Sequence, residues 1–307
     1  MKTFSITVVM PAFNEEANIK FALESILSQK TSTYFLEKIV VICDGCTDGT
    51  ARVVRENFKN NVLVEIIEHK DRKGKVTRLN EAYKLNNSDI LITFDADILL
   101  GSDNIVEEIA KKINNDKNAL LLAVHQIPKK PNNFFGKVIH AGYELWDLTR
   151  LSIKNYDHIQ NHYGAASAYR AEFAKTLQIP STVTDERGFL YLKAKQHNGF
   201  RYLKNVHIIY LPVSTLKDFW KQSIRSLSKN QEVLASLFGD RIYEIYKIPT
   251  LIKIKAIFKM MIKNPFYTAL AILLNILVRM FPGDEGLYKE GMWDITTSTK
   301  KAVNAQE

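Results

Sequence analysis

Cysteine is nearly absent: Cys43 and Cys46 are the only two in 307 residues. Their Cys-x-x-Cys spacing suggests redox chemistry or half of a zinc site, but a structural zinc site takes four ligands and no second cysteine pair exists. The intervening Asp44-Gly45 is ordinary turn chemistry. The seven histidines show no paired ligand spacing. No Gly-x-Gly-x-x-Gly follows the first apolar run and no Gly-x-x-x-x-Gly-Lys-Ser/Thr occurs, which disfavours a dinucleotide fold and a P-loop enzyme. Met1 to Ser5 runs straight into a strand pattern, without the n-region, apolar h-region and cleavage site of a secretory signal. The expected compartment is therefore cytoplasmic. The apolar run Phe266 to Val278 has thirteen residues. A bilayer span needs roughly twenty.

What is present is an ordinary globular composition, 46% hydrophobic and 24% charged, with enough chain for one large domain or a domain plus an extension. The net charge of +9 raises nucleic acid as a partner. Six of those charges, however, come from Lys247, Lys253, Lys255, Lys259, Lys263 and Arg279, in a stretch without a single acid. That concentration predicts a basic patch on the C-terminal part and no nucleic-acid partner.

Ile6 to Met10 is a β-branched run ended by Pro11, which cannot continue a central ladder. A helical pattern through Ile19, Leu23, Ile26 and Leu27 follows. Ile39 to Ile42 reads as a second buried strand, and Thr47 to Thr50 leads into a helix carrying Val53 and Val54. Val62 to Ile67 is a third strand, followed by the basic segment His69 to Lys75 and a helix around Leu79 to Leu85. This alternation predicts an α/β fold, a mostly parallel sheet with helices on both faces. Ligands of such sheets bind outside the carboxyl ends of the strands. The polar clusters fall there: Pro11 to Glu15, Asp44-Gly45 and Asp95 to Asp97.

Asp95 and Asp97 follow the apolar run Ile90-Leu91-Ile92, where the strand leaves its sheet. They converge if the chain stays extended, or through a turn just beyond it. Two hard oxygen donors so placed suit Mg²⁺ or Mn²⁺ shared with the phosphates of a ligand. Termination of the strand and capping of the next helix would use the same residues.

Three segments in order, Val9-Met10-Pro11-Ala12-Phe13-Asn14-Glu15-Glu16, Val41-Ile42-Cys43-Asp44-Gly45-Cys46-Thr47-Asp48-Gly49-Thr50 and Asp95-Ala96-Asp97, resemble the signature of glycosyltransferase family 2 and its GT-A nucleotide-sugar fold. The likeness covers roughly the first 210 residues. It implies that Pro11, Ala12, Asn14 and Glu15 line the nucleotide pocket and that Asp44 bonds the base, most often uracil. Lys75 of the basic loop would approach the ribose or diphosphate. Asp95 would contact the ribose or metal side, and Asp97 would bind the metal that bridges the diphosphate. Family members usually carry Asp and Ser where Cys43 and Cys46 stand.

His162-Tyr163-Gly164-Ala165-Ala166-Ser167-Ala168-Tyr169-Arg170 resembles the family's Gly-rich stretch, and reads equally as a strand with a tight bend. Thr184-Asp185-Glu186 resembles the family's Thr-Glu-Asp with the acids reversed. The chemistry needs one carboxylate to take the proton of the attacking hydroxyl. Side-chain type favours Asp185 and motif register favours Glu186; Asp185 is preferred, with Glu186 as the alternate. A helix N-cap with first-turn acids fits either. Gln222-Ser223-Ile224-Arg225 resembles the Gln-x-x-Arg-Trp element, with Ser226 in place of Trp. Gln222 and Arg225 would contact diphosphate or acceptor, and an ordinary amphipathic helix explains them nearly as well.

Beyond residue 250, Lys255, Lys259 and Lys263 recur every four residues opposite Ile254, Ile257, Phe258, Met261 and Ile262, a basic amphipathic helix. With the short apolar helix after Pro265, it suits an anionic membrane interface better than a span. Packing on the catalytic domain or a dimer seam is the alternative. The expectation is therefore a GT-A domain over residues 1–215 and a mainly helical arm over 216–307. It would be an inverting, metal-dependent glycosyltransferase, using a UDP-sugar and a glycan or lipid-linked acceptor, peripheral at the inner face of the membrane. A nucleotidyltransferase and a non-catalytic sugar-nucleotide or membrane-binding module are the competing readings.

Overall fold

The structure is a computed structural model that describes residues 3–227, 230–281, 288–289, 292–293 and 296–301. The side chains of 226–230, 288–289 and 292–293 lie outside that description, and Ser226 and Trp293 are among them. In chain order the elements are β1 (Phe4–Ala12), α1 (Ile19–Leu27), β2 (Tyr34–Asp44), α2 (Thr50–Phe58), β3 (Val64–His69), α3 (Lys75–Leu85), β4 (Ile90–Phe94), β5 (Ile98–Leu100), α4 (Ile105–Asn115), β6 (Leu121–Pro128) and α5 (Phe134–Leu151). Then come β7 (Ala166–Arg170), α6 (Ala171–Ala174), α7 (Glu186–Lys195), β8 (Phe200–Tyr210), α8 (Leu216–Leu227), α9 (Asn230–Phe238), α10 (Ile242–Ile245), α11 (Thr250–Lys263) and α12 (Pro265–Met280).

Eight strands form one mixed sheet in the order β3-β2-β1-β4-β7-β6-β8-β5. β3, β2, β1 and β4 run parallel, as does β6 with β8, while β7 opposes both its neighbours and β5 opposes β8. Period-2 alternation divides the core. Ile6, Val8, Met10, Ile39, Val41, Ile90 and Ile92 pack against α1, α2 and α4 on one face. Val9, Val40, Ile42 and Leu91 pack against α3, α6 and α7 on the other. Helices cover both faces, as the alternation predicts.

β1 runs on through Pro11 to Ala12, paired with Ile42 and Cys43 of β2. The ladder with β4 has already ended at Val9 and Thr93, so Pro11 stands where one flank no longer needs its missing N–H. β4 and β5 are joined only by Asp95-Ala96-Asp97, yet β7, β6 and β8 lie between them in the sheet. Four strand spacings in a flat sheet span about 19 Å. Four residue steps of chain reach at most about 14 Å. The sheet therefore curls, and the Asp-x-Asp turn sits where its two ends approach.

The C-terminal helices fold back on the catalytic layers. Leu234 of α9 and Ile242 of α10 join the core beside Phe189 and Leu190. α12 lies on α5 through small residues, with Ala271 and Asn275 against Gly142. Leu251, Ile254, Phe258 and Ile262 of α11 and Phe266, Leu273, Ile276 and Met280 of α12 remain exposed, with Phe134 and Phe135 of α5. Among the described residues no helix is long and apolar enough to cross a membrane.

Candidate functional site

The carboxyl ends of β1, β2 and β4 carry the residues singled out from the sequence. At the end of β1, Pro11 is half-buried and Ala12 is buried. Asn14, at a positive φ of 54°, accepts from the Thr47 N–H at 2.9 Å and donates to the Thr47 hydroxyl at 3.1 Å. Those bonds tie the β1 and β2 end loops together, and Cys46 adds a thiol bond to the Ala12 carbonyl at 3.4 Å. Both cysteines are free thiols: Cys43 is buried in the core at the end of β2, and Cys46 packs against that core from the loop.

Asp44 closes β2 with its carboxylate buried. It accepts from the N–H groups of Lys73 and Gly74 at 2.9 and 2.8 Å and from Arg78 Nε at 2.7 Å. Its first structural task is thus to fold the basic loop over the start of α3. Gly45, at φ +70°, allows the close approach, since a Cβ there would lie 2.6 Å from Arg72 N. Arg72 in turn stacks over the Phe13 ring at 4.0 Å.

Lys75, the first residue of α3, reaches across to the end of β4. Its Nζ lies 2.5 Å from Asp95 Oδ1, 3.4 Å from the Gly164 carbonyl and 3.9 Å from Glu186 Oε1. Burial opposes its charge, but Asp95 and Glu186 outweigh that and raise its pKa. Asp97 follows through the turn. Burial and the adjacent Asp95 carboxylate raise its pKa, against the pull of Lys300 and Lys75. Among the described residues, no group of three or more His, Cys, Asp or Glu side chains is arranged to hold a metal ion.

The acidic pair divides its labour. Asp185 is the N-cap of α7, and its Oδ1 accepts from Gly188 N–H at 3.0 Å and Arg187 Nε at 3.3 Å. Its Oδ2 accepts from the Tyr246 hydroxyl at 2.6 Å. Burial works against its charge, but Arg187 and the Tyr246 and Gly188 bonds lower its pKa. Glu186 instead turns toward Lys75 with a side chain only 9% exposed. Gly164, at φ +79°, passes so near Arg187 that a Cβ would meet its Cγ at 2.8 Å. His162 buttresses the same turn, donating to the Arg187 carbonyl from Nδ1 and accepting from the Ser167 hydroxyl at Nε2, both at 2.9 Å. On α8, Gln222 Oε1 accepts from the Tyr143 hydroxyl at 2.5 Å, and the charges of Glu186, Asp95 and Asp185 act on Arg225.

Two residues of this constellation were invisible in sequence because they come from the C-terminal segment. Tyr246 holds Asp185, as above. Lys300 contacts the carboxylate of Glu15 and donates to the Phe13 carbonyl at 3.0 Å. Burial, joined by Asp97, raises the Glu15 pKa to about 8, and Lys300 opposes that rise. Asp218 of α8 holds the Lys300 turn in place by accepting from Ser298 N–H at 2.8 Å.

The profile of glycosyl transferase family 2 matches residues 7–177, more than half of the chain and all of the β1, β2 and β4 loops just described. The chain belongs to glycosyl transferase family 2. A curated relative, the poly-β-1,6-N-acetyl-D-glucosamine synthase of Staphylococcus epidermidis, is 30% identical over 240 residues, covering 77% of this chain and 57% of that synthase. The Staphylococcus aureus (strain COL) synthase of the same name is 29% identical over 98 residues, 32% of this chain and 23% of its own length. The chain thus spans little more than half of these relatives at best. In fold it is similar to the mannosyltransferase PcManGT of Pyrobaculum calidifontis, solved with GDP-Man and Mn²⁺. That match has a TM-score of 0.60 at 18% identity and covers 93% of this chain and 78% of PcManGT. It is also similar to S. aureus TarS 1–349, solved with UDP-GlcNAc, with a TM-score of 0.53 at 15% identity and coverage of 92% and 91%. The GT-A fold is thereby shown.

Proposed function

We propose that the glycosyltransferase moves a sugar, with inversion, from a UDP-linked donor to a hydroxyl of a glycan or lipid-linked acceptor. The observation that carries this reading is the convergence of Asp95, Lys75 and Glu186 at the carboxyl end of β4, with Lys75 Nζ 2.5 Å from one carboxylate and 3.9 Å from the other. Pro11, Ala12, Asn14, Glu15 and Asp44 would border the nucleotide. A uridine donor is supported by the UDP-GlcNAc bound to TarS and by the UDP bound to the glucosyl-3-phosphoglycerate synthase of Mycobacterium tuberculosis.

Asp95 and Asp97 suit Mg²⁺ or Mn²⁺ chemically: they are hard carboxylates whose mutual repulsion, felt in the raised Asp97 pKa, a dication would relieve. Bound there, the ion would offset charge building on the leaving diphosphate. Lys75 adds a fixed cation on the same side, and Gln222 and Arg225 close the site from α8. Glu186 is the better general base. It faces Lys75, whereas both oxygens of Asp185 are held by Gly188, Arg187 and Tyr246. In this mechanism Glu186 takes the acceptor hydroxyl proton as that oxygen attacks the anomeric carbon. Asp185 fixes the start of α7 and so the direction of Glu186.

The exposed apolar faces of α11 and α12, bordered by Lys255 and Lys259, favour peripheral attachment to an anionic membrane surface on its cytoplasmic side. The direct test of the donor reading is thermal stabilisation by UDP-GlcNAc, UDP, GDP-Man and GDP, each with and without Mn²⁺. A UDP compound should raise Tm only with Mn²⁺, because stabilisation follows ligand concentration over Kd. If no nucleotide diphosphate stabilises the protein, the donor reading fails.

A further inference from the structure

The donor chemistry gives no role to the two cysteines that bracket Asp44. Gly45, at φ +70°, bends the chain between them and turns the Cys46 sulfur back onto Cys43, whose thiol donates to it. Cys43 is buried at the end of β2, while Cys46 is half-buried on the loop, its sulfur 3.4 Å from the Ala12 carbonyl. The bond from Cys43 holds the Cys46 thiol down at about 7, although burial works the other way, and the Asn14 N–H helps. The same bond, joined by burial, pushes the Cys43 thiol well up. One sulfur is thus a reachable thiolate near neutral pH, with a protonated thiol held against it. A partly exposed cysteine of low pKa beside a second thiol is the arrangement that oxidises reversibly.

We propose that Cys43 and Cys46 are an oxidation site, closed to a disulfide by peroxide, and that closure disables nucleotide binding. The Cys46 thiolate attacks one peroxide oxygen, the O–O bond breaks, and the departing hydroxide takes a proton to leave as water. Cys46 is then a sulfenic acid. The Cys43 sulfur displaces its hydroxyl, which leaves with the Cys43 proton as a second water. The two sulfurs give up two electrons and peroxide is reduced to water. A dithiol reductant reverses the step by thiol–disulfide exchange. The effect on binding rests on the donor reading above; the oxidation itself does not.

Position selects both the reactant and the consequence. Cys46 packs against the core beside the Ala12 carbonyl, which admits a small neutral peroxide more readily than a bulky disulfide. Bonded sulfurs stand about 2 Å apart. Cys43 is fixed in the ladder between Ala12 of β1 and Glu68 of β3, so Cys46 is the residue that moves. Its movement breaks the Ala12 contact and draws on Thr47, whose N–H and hydroxyl hold Asn14. Asp44 and Gly45 lie inside the closed ring. Asp44 carries the Lys73, Gly74 and Arg78 bonds that fold the basic loop, and Gly45 packs against Arg72 of that loop, so a shifted turn shifts the loop as well.

The test exposes the reduced full chain to hydrogen peroxide, then alkylates it under denaturing conditions and reads its intact mass. With only two cysteines in the sequence, the disulfide shows as loss of both alkylation sites together. UDP affinity with Mn²⁺, read by calorimetry, should fall roughly tenfold, about the loss of one charge-assisted bond. Dithiothreitol should restore both readings. Cys46→Ser, whose hydroxyl can still donate to the Ala12 carbonyl, should bind UDP normally and ignore peroxide. Cys43→Ala should stop at a sulfenic acid that dimedone traps. Two alkylatable thiols after peroxide, a Cys46 sulfinic acid or a disulfide-linked pair of chains would overturn the site. An intramolecular disulfide with unchanged UDP affinity would overturn its consequence, as would an equal loss of affinity in peroxide-treated Cys46→Ser. Failure of the reduced chain to bind UDP would strike the donor reading and the effect on binding with it, while the mass still decides the oxidation site.

Discussion

Lys75 Nζ stands 2.5 Å from Asp95 Oδ1, joining the first turn of α3 to the end of β4. The same ammonium lies 3.9 Å from Glu186, so one cation stands between carboxylates that close β4 and open α7. A ligand that neutralised Asp95 would free Lys75 for an anionic group.

Asp97→Ala should leave the fold intact and remove the Mn²⁺ dependence of UDP binding. Its carboxylate stands beside Asp95 against the drive of burial and repulsion, so the loss relieves a strained charge while deleting a metal donor. Calorimetry with and without Mn²⁺ checks this; an unchanged Mn²⁺ enhancement would refute the metal assignment.

Glu186→Gln and Asp185→Asn should separate. The first should keep UDP affinity and lower kcat by roughly two to four orders of magnitude, the range for a general base. The second keeps an N-cap acceptor for Gly188 N–H but removes the charge that holds Arg187 and Tyr246, and should cost about 1 kcal/mol of stability with a smaller loss of rate. Near-normal turnover in Glu186→Gln with an inactive Asp185→Asn would reverse the roles.

Lys300→Ala should weaken UDP binding, and Asp218→Ala should do so in the same direction, because Asp218 only holds the turn that delivers Lys300. A loss of roughly tenfold corresponds to one charge-assisted contact. If Lys300→Ala binds UDP normally, the C-terminal turn is a structural clasp without a part in donor binding.

Stability should fall as pH drops from 6.5 toward 4. Burial pushes both His125 and His162 down to about 4, from an ordinary value of 6.5. In that window the unfolded chain takes up protons that the folded chain excludes. The contribution is complete above pH 6.5 and disappears toward pH 4, at up to about 1.4 kcal/mol per pH unit for each histidine. Urea midpoints at pH 7.5 and 5.5 should differ, and His162→Gln should narrow the gap. An equal gap in the variant would mean that His162 is not held neutral.

Vesicle co-sedimentation should be strong with anionic lipid at low salt and weak with neutral lipid or high salt, since headgroup charge is screened. Lys255→Glu with Lys259→Glu should abolish it; Lys263 is spared because it pairs with Glu144 at 2.8 Å. Equal sedimentation of the double variant would point to another partner for the exposed faces of α11 and α12.

Much of the catalytic layer was legible in the residues alone. Ile6 to Met10, Ile39 to Ile42 and Ile90 to Ile92 are apolar on both faces, and only a strand covered by helices on each side buries such runs. Asp95 and Asp97 were readable because a polar pair that ends such a run must fall at the strand's carboxyl edge, where this class of sheet binds its ligands. The parallel character held for β1 to β4. The later antiparallel strands β5 and β7 carried no local mark of direction.

Tertiary structure decided the rest. Asp185 and Glu186 are chemically near-equivalent neighbours, and their contacts part because a cap residue points its carboxylate at the backbone while the next, about 100° around the helix, points elsewhere. Pro11 stays in its strand because the β4 ladder stops two residues earlier, a matter of register between segments 84 residues apart in sequence. Lys300 meets Glu15 across 285 positions, and no periodicity encodes such a contact. Local pattern fixes which segments are strands and helices, since each is a short-range compromise of burial and backbone bonding. Which side chains then share a site depends on how the sheet curls and where the last helices lie, and those are set by packing over the whole chain.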